Sequence, residues 1–299
     1  MLTTETLDPS GFKQILVTYQ KSLHSFKNWN IDIPENSRLY CYEKVIKHLI
    51  DKGVGNNPSH LCDLMFYVIE VDEINEIVLN EGDIAPDNET IKKLTDIVKG
   101  SEIKNIDEES QPRSSQFELY IKALLNISGL ECNFKPTQIG IETPDLTVKL
   151  DNEGFDIELK RPLSPKNILR NTIKKASYQL ESENPGMLIL SLDHILLGNH
   201  NVITLENGDS IDDYLKLLEK ETTKWLDENK RKFMKRFKSD KSVCALLLIV
   251  KSPVFPGSLN KMAFANHLRL IKLQGFSKDN SRHVESISNS FDVVWGNKI

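Results

Sequence analysis

TPDLTVKLDNEGFDIELKRP, residues 143–162, holds two runs of strict alternation on either side of Asp151, Asn152, Glu153 and Gly154. Alternation of period two marks a half-buried strand, and a polar break of four residues is a common hairpin loop. Pairing Leu150 with Phe155 across this loop sets Asp145 opposite Lys160, Thr147 opposite Glu158 and Lys149 opposite Asp156, all on one face. Leu146, Val148, Leu150, Phe155, Ile157 and Leu159 share the other face. At roughly 1.5–3 kcal/mol for each large side chain buried, those apolar residues decide which face meets the core. The charged face is then either a solvated ribbon or a site.

A site is chemically attractive because the charged face brings two carboxylates and an ammonium within a diagonal cross-strand reach of roughly 7–8 Å. Magnesium and similar hard cations take oxygen ligands and commonly use only one or two carboxylates, leaving water and substrate phosphate to complete the shell. Asp145 and Glu158 supply such a pair, for Mg2+ or Mn2+, and Lys160 places a positive charge where water is oriented or a crowded transition state is stabilised.

The flanking chain is consistent with an α/β unit. Residues 115–128 carry Phe117, Ile121, Leu124 and Leu125 on a helical stripe, with Gly129 as a plausible C-cap. Short candidate strands follow in ECNFK, DLTVKL and FDIELK, then a helix over about residues 167–181 and a strand in MLILSLDHILL. Further on, a long polar helix over about residues 212–238 precedes the apolar run VCALLLIVK, short enough for a buried strand, and FDVVW near the end reads as another strand.

Pro144-Asp145, followed thirteen residues on by Glu158-Leu159-Lys160, resembles the signature of the PD-(D/E)xK nuclease superfamily, the fold of many restriction endonucleases. The order helix, three strands, helix, strand around it resembles that family's core. The resemblance covers roughly residues 114–195 and implies a metal-dependent nuclease acting on phosphodiester bonds, most naturally in DNA, in a setting such as restriction or defence against phage. It further implies an auxiliary role for Glu118, on the preceding helix, and for Gln179, on the helix after the lysine.

Residues 11–100 read instead as successive helices, the last opening near Asn88 as a possible cap. Residues 63–109 hold 14 acidic residues against 4 lysines, a surface expected to repel phosphate. The polar stretch IDEESQPRSS, residues 106–115, suits a linker or a loop opening the next helix, so the expected organisation is an all-helical domain over residues 1–110 and the nuclease-like domain over 111–299. The helical part is a candidate surface for a protein partner or a second copy.

A net charge of −5 over 299 residues gives no overall attraction to a polyanion, so nucleic acid would need a local basic track. Between residues 160 and 175 there are six basic residues and no acidic ones: Lys160, Arg161, Lys166, Arg170, Lys174 and Lys175. All but Lys160 are candidate phosphate contacts. A second cluster, from Lys230 to Lys241 with Phe233 and Phe237 interleaved, either extends that track or simply ends a helix. Four cysteines without CxxC spacing point to a reduced cytoplasmic protein. MLTTETLDPSGF lacks the pattern of an export signal, and the apolar run of residues 244–250 is far below the roughly 20 residues a membrane span needs. The competing reading is a catalytically silent nucleic-acid-binding or scaffold protein with the same fold.

Overall fold

The computed structural model describes residues 2–7, 9–52, 58–82, 85–99, 110–136, 143–151, 153–162, 173–180, 184–196, 210–237, 243–254, 262–273 and 278–296. The elements run β1 (Leu2–Leu7), α1 (Pro9–Asn28), α2 (Arg38–Lys52), α3 (Pro58–Glu81), α4 (Asn88–Val98), α5 (Ser110–Ile127), β2 (Glu131–Phe134), β3 (Leu146–Leu150) and β4 (Glu153–Lys160). They continue with α6 (Ile173–Gln179), β5 (Gly186–Ser191), α7 (Asp193–Leu196), α8 (Ile211–Phe237), β6 (Val243–Val254), β7 (Met262–Lys272) and α9 (Lys278–Gly296). No helix among the described residues is long and apolar enough to cross a membrane.

One mixed sheet of seven strands, in the order β1-β7-β6-β5-β4-β3-β2, makes this an α/β protein. β2, β3 and β4 are antiparallel to one another, β4, β5 and β6 are parallel, and β7 and β1 close the far edge antiparallel. The middle strands are apolar on both faces, as strands covered by helices on each side must be. Met187 and Ile189 of β5 join a core with α1–α5 and α9, whereas Leu188 and Leu190 join a second core with α6 and α8.

The hairpin faces follow the alternation. Leu146, Val148, Leu150, Phe155, Ile157 and Leu159 are all buried in the first core. The register differs from the expected one by two residues: Leu146 pairs with Ile157 and Leu150 with Glu153, leaving a loop of two residues. Asp151 takes φ of 49°, the left-handed conformation that aspartate tolerates and that the tightest hairpin turns require. Gly154 therefore lies in β4, where a Cβ would sit 2.9 Å from Asn184 Nδ2. A slip of two preserves the faces but replaces every partner. It sets Asp145, one step beyond the Leu146–Ile157 pair, across from Glu158 in place of Lys160.

Four further expectations change. β1 joins the sheet through pairs from Leu2–His267 to Leu7–Met262, so residues 1–110 are not all helical. The helix expected to open near Asn88 is capped by Asp87, whose Oδ1 accepts from the Thr90 N–H at 2.9 Å. Residues 110–115, read as a linker or a loop opening the next helix, already belong to α5, with Pro112 tolerated in its first turn. FDVVW is helical: Val284, Ile287, Phe291, Val294 and Trp295 are buried along one side of α9. Gly129 does end α5, with φ of 94°. The expected boundary at residues 110/111 falls in the first turn of α5, residues 106–109 lie outside those described, and the apolar side chains of α1–α4 share one continuous core with α5 and the sheet.

Candidate functional site

The site forms where β3 begins and β4 ends. Asp145 is fixed by its neighbour's strand: its Oδ2 accepts the Leu159 N–H at 2.8 Å. Glu158 is fully buried, and its Oε1 accepts from the Lys160 ammonium. Its other oxygen, Oε2, is buried with no hydrogen-bond partner among the described residues. An ionised carboxylate left half satisfied in low dielectric is costly, and a cation is one remedy. Glu118 of α5 reaches the same region and is paired with Lys93 of α4. Asp145, Lys160, Glu118 and Gln179 all line one cleft of about 410 Å³.

These groups sense one another. Burial, then the Asp145 charge, holds the Glu158 carboxyl well above the usual carboxylate range, with Lys160 pulling it down. Burial and Asp145 push Glu118 from its ordinary 4.5 up to about 7, against the pull of Lys93 and Lys160. For Lys160, burial opposes the ammonium, but Glu158, Asp145 and Glu118 outweigh it and raise its pKa. Three carboxyls thus share a small volume with two ammoniums, and burial together with the Asp145 charge makes Glu118 and Glu158 resist ionisation.

This arrangement sets a pH dependence. Between 4.5 and about 7 the folded chain keeps a proton on Glu118 that the unfolded chain releases, so stability is expected to fall as the pH rises through that window. Thermal unfolding in EDTA at about pH 5 and about pH 7.5 checks this, with Glu118→Gln flattening the difference.

The chain matches no family model, no curated protein and no solved structure. What the site can do follows from its own side chains. Among the described residues, no three His, Cys, Asp or Glu side chains form a ready-made metal cluster. Two carboxylates at the ends of adjacent strands, near enough for the Asp145 charge to act on Glu158, one of them with an unsatisfied oxygen, are the smaller donor set that suits a hydrated magnesium or manganese ion.

The other candidates divide. Gln179 donates from Nε2 to the Thr143 carbonyl at 3.2 Å, holding the segment just before Asp145, while its Oε1 is buried without a hydrogen-bond partner. Lys174 and Lys175 are exposed on α6, and Lys175 lines the cleft. Lys166 and Arg170 lie outside the described residues. Arg161 is corrected: it is not a surface phosphate contact. Alternation sends it away from Lys160 to the opposite side of the sheet, where its buried guanidinium meets Glu73 at 3.3 Å, Asp193 at 3.7 Å and Glu70 at 3.9 Å. Of the second basic cluster, Lys230, Arg231, Lys232 and Lys235 are exposed on α8, but Phe233 and Phe237 are buried in the second core.

Three features were missed by sequence reasoning. Glu70 and Glu73, read as acidic surface, are buried and hold Arg161, with Arg38, Arg113 and Lys251 around them. Their spacing on the apolar stripe of α3, with Tyr67, Ile74 and Ile77, was the available signal. Asp156 is buried and satisfied by Lys135 and Thr147, both at 2.7 Å. Lys93 carried no signal in its own neighbourhood.

Proposed function

We propose that this protein is a metal-dependent nuclease of the PD-(D/E)xK type, hydrolysing phosphodiester bonds in DNA in the cytoplasm. The observation that carries the reading is the placement of Asp145 across the paired strands from Glu158, near enough for its charge to act on that carboxyl, with one Glu158 oxygen buried and unsatisfied and the Lys160 amine beside it. The order α5, then β2, β3 and β4 antiparallel, then α6, then β5 parallel to β4 agrees with the core that the motif resembles.

Asp145 and Glu158 would hold Mg2+ or Mn2+, which supplies Lewis acidity, lowering the pKa of a bound water and neutralising charge on a phosphoryl group. The Leu159 N–H fixes the Asp145 carboxylate against the strand that carries Glu158. Lys160, kept protonated by the surrounding carboxylates, is the residue that orients the attacking water and stabilises charge building on the phosphorane oxygens. Glu118, auxiliary, offers a carboxyl that exchanges a proton near neutral pH.

The test is direct. Purified protein is incubated with plasmid DNA and with RNA in Mg2+ or Mn2+, beside EDTA, Asp145→Ala and Lys160→Ala controls. Cleavage that needs the metal and both residues is the expected result. Cleavage surviving every control contradicts the reading, and binding without cleavage replaces it with a nucleic-acid-binding scaffold on the same architecture.

A further inference from the structure

α4 buries Thr90, Leu94, Ile97 and Val98 and turns Glu89, Lys92, Lys93 and Asp96 into the cleft that contains Asp145 and Lys160. One wall of the site thus comes from the acidic stretch of residues 63–109, which has only 4 lysines; two of them, Lys92 and Lys93, stand on that wall. The two are not alike. Lys92 is 66% exposed and, among the described residues, makes only a local pair with Glu89 at 3.7 Å. Lys93 is 16% exposed, is paired with Glu118 across the helix interface, and lies 4.9 Å from the centre of the Phe134 ring. Phe134 pairs with Leu146, the residue after Asp145, so the ring fixes Lys93 relative to the start of β3.

A polyanion entering a cleft floored by carboxylates meets repulsion that cations on the walls must offset. Among the described basic residues of this cleft, Lys160 is held by the fully buried Glu158 and Arg161 by the buried acids of α3 and Asp193, whereas the partner of Lys93, Glu118, is itself 12% exposed. Lys93 is the half-buried cation on the α4 wall, and Lys175 stands on the α6 side.

We propose that Lys93 is a substrate-binding residue whose ammonium contacts the backbone phosphate next to the scissile one, so that the helix over residues 88–98 completes the track for a nucleic-acid strand. This rests on the nuclease reading. In the substrate-free protein Glu118 holds the ammonium in place; on binding, the phosphate takes it over.

The experiment measures affinity of the full chain for labelled duplex and single-stranded DNA in EDTA, from about 50 to about 200 mM salt. Losing one phosphate contact is expected to reduce the slope of log affinity against log salt by about 0.9 for duplex or about 0.7 for a single strand. Lys93→Met should show that reduction, and Lys93→Arg should restore the parent slope. Lys99→Met, at the C-cap of the same helix but 68% exposed and, among the described residues, paired only with Asp96 at 4.0 Å, should keep it. The decisive arm removes the structural explanation: in a Glu118→Gln background, where the ion pair no longer exists, Lys93→Met should still lower the slope. An unchanged slope in both backgrounds overturns the proposal while leaving a cleaving parent intact. A parent that binds neither duplex nor single-stranded DNA brings down the DNA-nuclease reading, and this inference with it.

Discussion

Arg161→Met is expected to lower the unfolding free energy by about 3–5 kcal/mol, because removing one partner of a buried ion-pair network strands the others. The guanidinium side chain is 3% exposed and lies within salt-bridge range of Glu73, Glu70 and Asp193. Burial alone would weaken it as a cation, but Glu73, then Glu70 and Asp193, more than restore its charge. Methionine matches the volume and supplies no charge, so three buried carboxyls would lose a shared counterion. Urea denaturation at neutral pH should show a lower midpoint with an unchanged slope. Lys149→Ala, whose side chain is 57% exposed and whose pair with Glu131 spans 3.6 Å, should stay within about 0.5 kcal/mol of the parent. If Arg161→Met is as neutral as that control, the guanidinium is a surface group and belongs with the phosphate contacts after all.

Lys160→Ala is expected to reduce the rate of DNA cleavage by about 10²–10³-fold while binding of DNA changes far less, since a preorganised charge of this kind acts mainly in the transition state. Alanine also leaves Glu158 without its ion-pair partner, so the carboxyl, already raised by burial and by Asp145, should hold its proton to higher pH. The pH–rate profile of the residual activity should shift accordingly, toward higher pH, which a simple loss of folding would not produce. Equal cleavage by the variant and the parent would remove Lys160 from the chemistry.

The hairpin shows how much a sequence can carry. Its two faces were legible because alternation has a period of two and six apolar residues fall in phase. Its register was not, because a shift of two residues leaves every face unchanged and is decided by the turn, here by Asp151 at φ of 49°. That hidden difference is what sets Asp145 opposite Glu158. The convergence of Asp145, Glu158, Lys160 and Glu118 was anticipated from the motif and its surroundings. Arg161 was not, since its partner Glu73 lies 88 residues earlier and a run of basic residues looks the same whether it faces water or a buried acid. β1 escaped for a related reason: Leu2–Leu7 is mostly threonine and glutamate, and its pairing with Met262–Lys272 rests on backbone bonds made some 260 residues away. In α9 the signal existed, but reading five residues of it as a strand overlooked the helical spacing from Val284 to Trp295.

The central claim is that Asp145 and Glu158 share one divalent cation. Anomalous diffraction from crystals grown with Mn2+ tests it most directly. The account predicts a single anomalous peak within about 2.5 Å of a carboxylate oxygen from each residue, with the Lys160 amine adjacent and the peak lost in Glu158→Gln. A peak placed elsewhere, or carboxylates of Asp145 and Glu158 that turn away from each other in a manganese-loaded crystal, would contradict it.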